Sequence, residues 1–358
     1  MNRALACFVA SACIAALASG CASIGPGTIP RDRFDYGAQI GDSWKEQTLL
    51  NLVKLRYYDM PVFVEVAQVV GGYTLQTGVA ASVAIPRNPT QDWTLSGTGT
   101  YSDHPTITYT PLTGNQFLRT LMMPVPPDSL MFTVQSNWPA DIVFRLCVAS
   151  VNGLRNGRIS GGNSEAADPE FVQLVRILSE LQRSGNFGMR IREGKGGERS
   201  TILFLHRDQA SAELREEAAT AKRLLGLNPD ETEFHLVYGS LPASNDEIAL
   251  QTRSMLHVML EVGGMIDIPD RDIQTHVATA GVSGLAAEAQ SDARLLRVHT
   301  SDSRPAGAFS AVRYHDHWFY LDDTDLRSKG TFTFLMLLFT LLDTSERQPL
   351  PLITIPAG

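Results

Sequence analysis

The first 20 residues constrain the chain most strongly, because they determine which part of it folds and in which compartment. Arg3 gives a short positive start, residues 4–17 are almost wholly apolar and carry no charge, and small residues lead to Cys21. A charged start, an apolar stretch of under about 15 residues and a small-residue cleavage site are typical of a secretory signal. A helix that crosses a bilayer needs roughly 20 apolar residues. We therefore predict that residues 1–20 are a signal peptide rather than a membrane span.

The residues around the cleavage site resemble the lipobox of bacterial lipoproteins. That motif is a small or aliphatic pair, then Gly or Ala, then the lipidated Cys, and here it reads Ala18-Ser19-Gly20-Cys21. The resemblance implies that Cys21 becomes the first mature residue and carries a thioether diacylglycerol and an N-linked acyl chain such as palmitate. One chain alone holds a protein weakly, at about 0.8 kcal/mol per buried CH₂, so several chains make a stable anchor. The alternative is an ordinary cleaved signal followed by an unmodified cysteine.

The residue after the cysteine bears on which membrane would hold the anchor. Ala22 stands where many Gram-negative lipoproteins that stay in the inner membrane have Asp. The resemblance therefore implies an outer-membrane protein, anchored on the periplasmic face.

The charge balance argues against a nucleic-acid partner. The formal net charge is −8, and it becomes −9 once Arg3 leaves with the signal. Binding to phosphates requires clustered basic charge, which this chain lacks. The 44% of hydrophobic residues can form a core, and the 338 residues after the signal suffice for one large domain or two ordinary ones.

The four cysteines predict a chain without an internal disulfide. Cys7 and Cys13 leave with the signal and Cys21 is acylated, so Cys147 is the remaining thiol. Cys147 lies in the apolar run 142–148, which predicts a buried small hydrophobe rather than a nucleophile.

The N-terminal half predicts a tether, a helix and a long hairpin. Residues 21–30 are rich in Gly, Pro and Ser and predict a flexible, lipid-attached tether. Ser43 and Glu46 have the spacing of a capping box, which predicts a helix that buries Leu49, Leu52 and Val53 and ends before Pro61. Residues 73–85 and 92–101 alternate weakly and predict the two arms of a hairpin. We also predict strands at 62–70 and 106–109 and helices at 114–123, 129–135 and 140–152.

The stretch from Arg155 to Asp168 is polar and contains three glycines, so it predicts a linker or long loop. We accordingly predict an N-terminal region at 31–157 and a C-terminal region at 168–358. The second region mixes helices with antiparallel hairpins, and the fold class predicted for the whole chain is therefore α+β. The elements predicted there are helices at 169–183, 210–225, 246–262 and 331–342, hairpins at 187–205 and 308–322, and strands at 233–237, 295–300 and 352–355.

Several segments beyond the lipobox are similar to a group of uncharacterised envelope lipoproteins of Gram-negative bacteria. The resemblance implies a shared fold and export route, and it implies no activity. The segments are Glu46-Gln47 with Leu55-Arg56-Tyr57, residues 105–112, Asn152-Gly153-Leu154, residues 318–323 and residues 325–329.

The acidic and histidine residues near position 320 are the first place to look for a metal site. His315-Asp316-His317 has two metal-ligating types, but a zinc site needs three or four converging ligands. We interpret these residues as the turn of a hairpin. Asp322, Asp323 and Asp325 lack the glycine and distal glutamate of a calcium loop, and Asp323 or Asp325 is interpreted as a helix cap.

No motif predicts a catalytic nucleophile or a cofactor site. The chain lacks a Gly-x-Ser-x-Gly elbow, and Ser328-Lys329 has no partner identifiable from spacing. Gly194, Gly196 and Gly197 fall in a predicted hairpin turn rather than between a strand and a helix, which argues against a phosphate cradle. We therefore assign no catalytic, cofactor-binding or metal-binding residue, and no cofactor.

The 73–101 hairpin leaves one further alternative open. Outer-membrane strands are about 9–11 residues long with weak alternation, so hairpins of several subunits could form an oligomeric pore. Polar residues oppose this interpretation, because they interrupt the apolar set. They favour a hairpin that packs on the domain or on a partner. These residues are Ser82, Thr94, Ser96, Thr98 and Thr100.

The sequence as a whole favours a non-enzymatic, lipid-anchored interaction or assembly component of the envelope, with a protein partner. The alternatives are a periplasmic-facing hydrolase or metal-binding enzyme, and the oligomeric pore subunit. The sequence does not determine whether the chain forms homo-oligomers.

Overall fold

The computed structural model describes residues 24–84, 92–160, 163–193, 199–205, 211–279 and 294–342. In these residues the protein is mixed α+β, as predicted, with helices and small, mainly antiparallel sheets. The chain forms two compact units. The first comprises Met1–Trp44 and Val64–Pro111, and the second comprises Lys45–Phe63 and Leu112–Gly358.

These units divide the chain elsewhere than at the predicted boundary between residues 157 and 168. Strand β5 (Val148–Val151), from the predicted N-terminal region, pairs antiparallel with β12 (Glu247–Thr252) from the predicted C-terminal region. A sheet that draws strands from both sides of a loop cannot be split at that loop. The 155–168 stretch is a connection within the second unit.

In its described residues, the first unit contains part of a helix and two two-stranded sheets. Helix α1 (Ile24–Arg56) contributes its residues up to Trp44 to this unit. Strand β1 (Phe63–Val70) pairs with β4 (Thr106–Leu112), and β2 (Tyr73–Ala84) pairs with β3 (Asp92–Asp103). The predicted long hairpin is thus confirmed, with arms of 12 residues each.

Helix α1 starts much earlier than the capping box at Ser43 predicts. Residues 24–30, predicted to be flexible tether, form its first two turns. Pro26 lies in the first turn. The first four N–H groups of a helix have no acceptor within the helix, so the missing N–H of Pro26 costs no helical hydrogen bond. Pro30 lies inside the helix. Gly and Pro predict a break in the chain here, but the first turn of a helix accommodates Pro.

The second unit contains a six-stranded sheet in the order β6-β5-β12-β11-β10-β9. Strand β11 runs parallel to β12, and the other pairs given by register are antiparallel. The remaining strands of this sheet are β6 (Leu154–Arg155), β9 (Gly188–Glu193), β10 (Arg199–Phe204) and β11 (Glu233–Tyr238). A short pair, β7 (Arg158–Ser160) and β8 (Asn163–Glu165), lies in the connection after β6.

The helices of the second unit begin with the Lys45–Arg56 part of α1, whose Leu49, Leu52 and Val53 are fully buried as predicted. The helix predicted at 169–183 is confirmed as α5, and Gly226 ends α6 in the left-handed conformation. The helices are α2 (Asn115–Met122), α3 (Pro127–Gln135), α4 (Ala140–Cys147), α5 (Pro169–Arg183), α6 (Ala212–Leu225), α7 (Met255–Gly263), α8 (Asp270–Gln274) and α9 (Leu326–Leu342).

Two of the predicted helices are wrong in the same way. The stretch 140–152 is helix α4 followed by β5, and 246–262 is β12 followed by α7. Strands β5 and β12 are interior strands of the six-stranded sheet. A short buried strand has a continuous apolar run, so hydrophobic periodicity alone does not separate it from a helix.

A three-stranded sheet and helix α9 are the remaining elements in the described part of this unit. Strands β13 (His299–Ser301), β14 (Ala308–Tyr314) and β15 (His317–Asp322) form a sheet in the order β13-β15-β14, which confirms the predicted 308–322 hairpin. Phe332 and Phe334 of α9 are fully buried in the core. Among the residues that the structure describes, no helix is both long and apolar enough to cross a membrane.

The start of α9 is held by Asp325. Its Oδ1 accepts a hydrogen bond from the Ser328 N–H at 3.1 Å, and its Oδ2 accepts one from Ser328 Oγ at 2.6 Å. The prediction of a helix cap is therefore confirmed for Asp325. Asp323 instead forms an ion pair with Lys329 at 2.7 Å, and its side chain is 58% exposed.

We predict that Asp325→Ala lowers the free energy of unfolding by about 1 kcal/mol, because the first turn of α9 loses its cap. Asp323→Ala serves as the matched control. It removes only a partly exposed ion pair, which contributes roughly 0–1 kcal/mol. Urea unfolding of the two variants measures the difference, and an equal loss in both would show that Asp325 is not the cap on which α9 depends.

Candidate functional site

The long hairpin of the first unit is a regular ladder. Tyr73 pairs with Asp103, and every following residue of β2 pairs in turn with the preceding residue of β3, as far as Ala84 with Asp92. Residues directly opposite each other in an antiparallel pair share a face, and successive residues of a strand alternate between faces. The register therefore assigns odd-numbered residues of both strands to one face and even-numbered residues to the other.

The two faces differ sharply in chemistry. On the odd-numbered face, which we call the apolar face, Thr77 and Asp103 are the only residues that are neither aliphatic, aromatic nor glycine. The other ten residues of the apolar face are Tyr73, Leu75, Val79, Ala81, Val83, Trp93, Leu95, Gly97, Gly99 and Tyr101.

The even-numbered face, which we call the polar face, has no apolar residue larger than alanine. Its members are Thr74, Gln76, Gly78, Ala80, Ser82, Ala84, Asp92, Thr94, Ser96, Thr98, Thr100 and Ser102. The five residues predicted to interrupt an apolar set, Ser82, Thr94, Ser96, Thr98 and Thr100, all belong to this face. The sequence-based objection to an apolar band was therefore wrong, because it did not take the pairing register into account.

Charge is confined to the ends of the ladder. Neither strand contains Lys, Arg or Glu, and the two acidic residues are Asp92 and Asp103, the first and last residues of β3. About a fifth of the whole chain is charged, at 19%. The interior of the long hairpin is thus uncharged on both faces.

A cluster of four side chains, the base clasp, joins the open end of the long hairpin to α1. Tyr73 Oη donates a short hydrogen bond to Asp32 Oδ2, and Arg31 Nη2 donates to Tyr101 Oη at 3.3 Å. The Tyr73 and Tyr101 rings stack with their centroids 6.3 Å apart, and the Arg31 guanidinium lies 5.9 Å from the Tyr73 centroid. Both aromatic residues at this end of the apolar face are therefore held by one turn of α1.

The electrostatics of the base clasp follow from these contacts. The hydrogen bond from Tyr73 lowers the pKa of Asp32, and the Arg31 guanidinium 3.1 Å away lowers it further. The same bond to Asp32 raises the pKa of Tyr73. The clasp is thus fully formed when the carboxyl is ionised and the phenol is protonated, which is the neutral pH range.

The thiol of Cys147 is buried as predicted. Burial raises its pKa to about 12, so it stays protonated and unreactive at neutral pH. Nearby, Arg253 is buried and donates to the Arg145 and Leu146 carbonyls, both at 3.1 Å. Its guanidinium lies 3.6 Å from the buried carboxylate of Glu261. This polar group fixes the end of α4, and we assign it a structural role.

The histidine turn is confirmed as a turn. His315 and Asp316 have φ angles of 46° and 68°, the positive values that a two-residue type I′ hairpin requires. His317 Nδ1 lies 3.3 Å from Asp302 Oδ1. Within the described ranges, no three His, Cys, Asp or Glu residues converge to hold a metal.

Ser328 of the Ser328-Lys329 pair is buried at the start of α9. Its Oγ donates to Asp325 and accepts a hydrogen bond from the Arg297 N–H at 2.8 Å. Both contacts are structural. Cys21, the glycines at 194, 196 and 197, and the strand predicted at 352–355 lie outside the described residues.

Sequence reasoning missed a tyrosine cluster at the end of α1. Tyr57 donates a 2.6 Å hydrogen bond to Asp272, and Tyr314 donates a 2.9 Å bond to Asp59. The His315 ring stacks on Tyr57 with the centroids 5.1 Å apart. Burial raises the pKa of Tyr57, and burial with the Asp59 bond raises the pKa of Tyr314 to about 12. The bonded residues are 215 and 255 positions apart, so no local pattern signals the cluster.

Comparison of the chain with protein-family models, with curated proteins and with solved structures gave no match. The lipoprotein resemblance of the N-terminus therefore stays a prediction.

We predict that Tyr73→Phe raises the pKa of Asp32 toward its ordinary value, because the carboxylate loses its strongest hydrogen bond. The lowered pKa of Asp32 stabilises the fold above the ordinary carboxyl pKa, and this stabilisation is lost as pH falls through the lowered value. The variant should therefore lose less stability than the native protein on acidification. NMR titration of the Asp32 carboxyl measures the shift.

The control for this titration is Tyr109→Phe, which removes the hydroxyl of an exposed tyrosine in β4. It should leave the Asp32 titration as in the native protein. An unchanged Asp32 pKa in Tyr73→Phe would show that the clasp does not form as described.

Proposed function

We propose that the protein is a lipid-anchored assembly component of the Gram-negative envelope, held on the periplasmic face of the outer membrane through Cys21. Its role in this proposal is interaction rather than catalysis, and its contact element is the long hairpin of the first unit. The anchor rests on the sequence, where residues 1–21 resemble a lipoprotein signal and lipobox.

The observation that carries the contact role is the two-faced ladder of the long hairpin. A two-stranded hairpin alone in water is marginal in stability, and an apolar face normally packs on other structure. Here the apolar face extends from the first ladder position, at Tyr73, to the eleventh, at Val83, and Tyr101 at its base is 50% exposed. An element of this kind suits a contact surface that is completed by something other than its own sheet.

Exposed apolar residues on α1 support a surface beside the clasp. Ile29 and Phe34, which flank Arg31 and Asp32 in the sequence, are 61% and 74% exposed.

The proposal predicts that Cys21→Ala releases the protein from the envelope. The native chain should carry acyl mass, fractionate with outer membranes and form crosslinked adducts with an envelope component. The variant should lose all three, because it has no thiol to lipidate. Intact-mass analysis and membrane fractionation, with crosslinking in cells, measure these properties.

Cys13→Ala is the matched control, since it makes the same substitution within the signal and should leave acylation and fractionation unchanged. An unacylated, freely soluble native protein would overturn the anchor. An acylated protein without any reproducible crosslinked adduct would overturn the assembly role while leaving the anchor in place.

A further inference from the structure

The length of the apolar face matches a bilayer. Tyr73 and Val83, the latter paired with Trp93, are ten residue steps apart, and ten steps at about 3.3 Å per residue extend about 33 Å. When strands tilt by about 40°, as membrane strands do, that distance corresponds to a height of about 25 Å. This is the height of the outward apolar band of outer-membrane proteins.

Aromatic residues stand at both ends of this band. Tyr73 and Tyr101 occupy the base, at the first and third ladder positions, and Trp93 occupies the eleventh. Outer-membrane strands carry aromatic residues at both water–lipid boundaries, because an amphipathic ring suits the boundary. The charged residues of the ladder, Asp92 and Asp103, lie at its two ends.

The polar face has the composition that lines water. Its threonines, serines and single glutamine carry hydroxyl and amide groups at most positions from Thr74 to Ser102. Strands of outer-membrane proteins alternate in this way, with apolar residues toward lipid and polar residues toward the interior. A position in a membrane, with lipid on one side and water on the other, therefore accounts for both faces of the long hairpin.

The predicted anchor is close in sequence to the helical turn that holds this end of the ladder. From Ile24 to Arg31 the helix rises about 10 Å, and three residues of any conformation span at most about 10 Å more. Cys21 is thus within about 20 Å, along the chain, of the helical turn that holds Tyr73 and Tyr101. A lipid on Cys21 would bring the base clasp close to a membrane surface.

These observations lead us to propose that the long hairpin enters the bilayer, with its apolar face in lipid hydrocarbon and its polar face toward water, and closes a ring with hairpins of further copies of this chain. The inference rests on the proposed membrane address of the chain. In terms of the proposed function, the long hairpin contacts the lipid bilayer and other copies of the same chain.

The requirement for further copies follows from the backbone. Among the described residues, β2 and β3 form a two-stranded sheet of their own, so no further strand of this sheet closes the ladder. Unpaired N–H and C=O groups are strongly unfavourable in hydrocarbon, where only closed sheets avoid them. The smallest membrane rings have about eight strands, and a water-filled channel has about 16, which corresponds to about eight hairpins.

A protein partner on the apolar face is the competing interpretation, and the ladder favours lipid over it. Protein interfaces usually surround an apolar centre with a polar rim that includes charges. Here the apolar face has no charge between its terminal positions, and its aromatic residues are at the ends rather than in the middle.

The test compares Val79→Lys with Ala80→Lys in the acylated, full-length protein. The two residues are neighbours near the middle of β2 and belong to opposite faces. A lysine on the lipid side near the bilayer midplane lowers insertion by roughly 30- to 900-fold, whereas a lysine on the interior side mainly changes ion selectivity. Conductance is measured in planar bilayers of phosphatidylethanolamine and phosphatidylglycerol.

We expect channel activity from the native protein and at least about a tenfold loss of that activity in Val79→Lys. In Ala80→Lys we expect channels whose ion selectivity is shifted toward anions. Circular dichroism and intact mass establish that both variants fold and are acylated. No conductance from the acylated native protein, or equal conductance in both variants, would overturn the inference.

The outcomes separate this inference from the proposed function. An acylated native protein that forms crosslinked adducts but no channels would leave the assembly role standing, with a protein on the hairpin. The native protein could instead lack acylation in cells and still form channels after reconstitution from detergent, with the expected difference between the variants. That result would support insertion of the long hairpin and overturn the lipid anchor at Cys21.

Discussion

The pairing of β2 with β3 is the constraint on which the functional account depends. Because side chains alternate along a strand, a shift of one residue in one strand would move that strand's residues to the opposite face. The observed pairing puts Leu75 opposite Tyr101, Ala81 opposite Leu95 and Val83 opposite Trp93 on one face. It collects the serines and all the threonines but Thr77 on the other face. The same 24 residues in a shifted register would present two mixed faces and would suit neither lipid nor water.

The base clasp ties this ladder to the part of the chain where the anchor is predicted. Arg31 and Asp32 are consecutive residues of α1, and they bind the two tyrosines that lie nearly opposite each other at the base of the ladder. The clasp fixes the ladder relative to α1 through the oppositely charged pair Arg31 and Asp32 and the two tyrosine hydroxyls that they bind. It also keeps the hydroxyls of Tyr73 and Tyr101 in polar surroundings, as a water–lipid boundary would require.

The sequence predicted the elements of this site better than their relation to one another. The arms of the long hairpin were predicted within two residues of their observed ends, since Thr, Val and Tyr alternate there and turn residues lie between them. The faces were not predicted, because reading one strand at a time leaves the register open. Similarly, local spacing predicted Asp323 or Asp325 as a helix cap, and Asp325 is the cap. The bond of Tyr57 to Asp272 spans 215 positions and has no local signal.

The errors in the second unit have a related cause. Interior strands such as β5 and β12 owe their conformation to neighbours on both sides, and a short apolar run contains no trace of those neighbours. At the N-terminus a helix was missed. Gly and Pro predicted a flexible tether at residues 21–30, but α1 already starts at Ile24. Local patterns located the long hairpin and the cap of α9. They misled at β5 and β12, where neighbouring strands decide the structure, and at the start of α1, where a helix accepts Pro in its first turn.

The most direct measurement of the central claim is the accessibility of spin labels placed one at a time at residues 76–84, in lipid vesicles and in a Cys147→Ser background. The account predicts a period of two, with oxygen accessibility highest at odd-numbered positions and accessibility to a water-soluble nickel complex highest at even-numbered ones. Equal accessibility of all nine positions to the nickel complex, or the absence of a period of two, would contradict it.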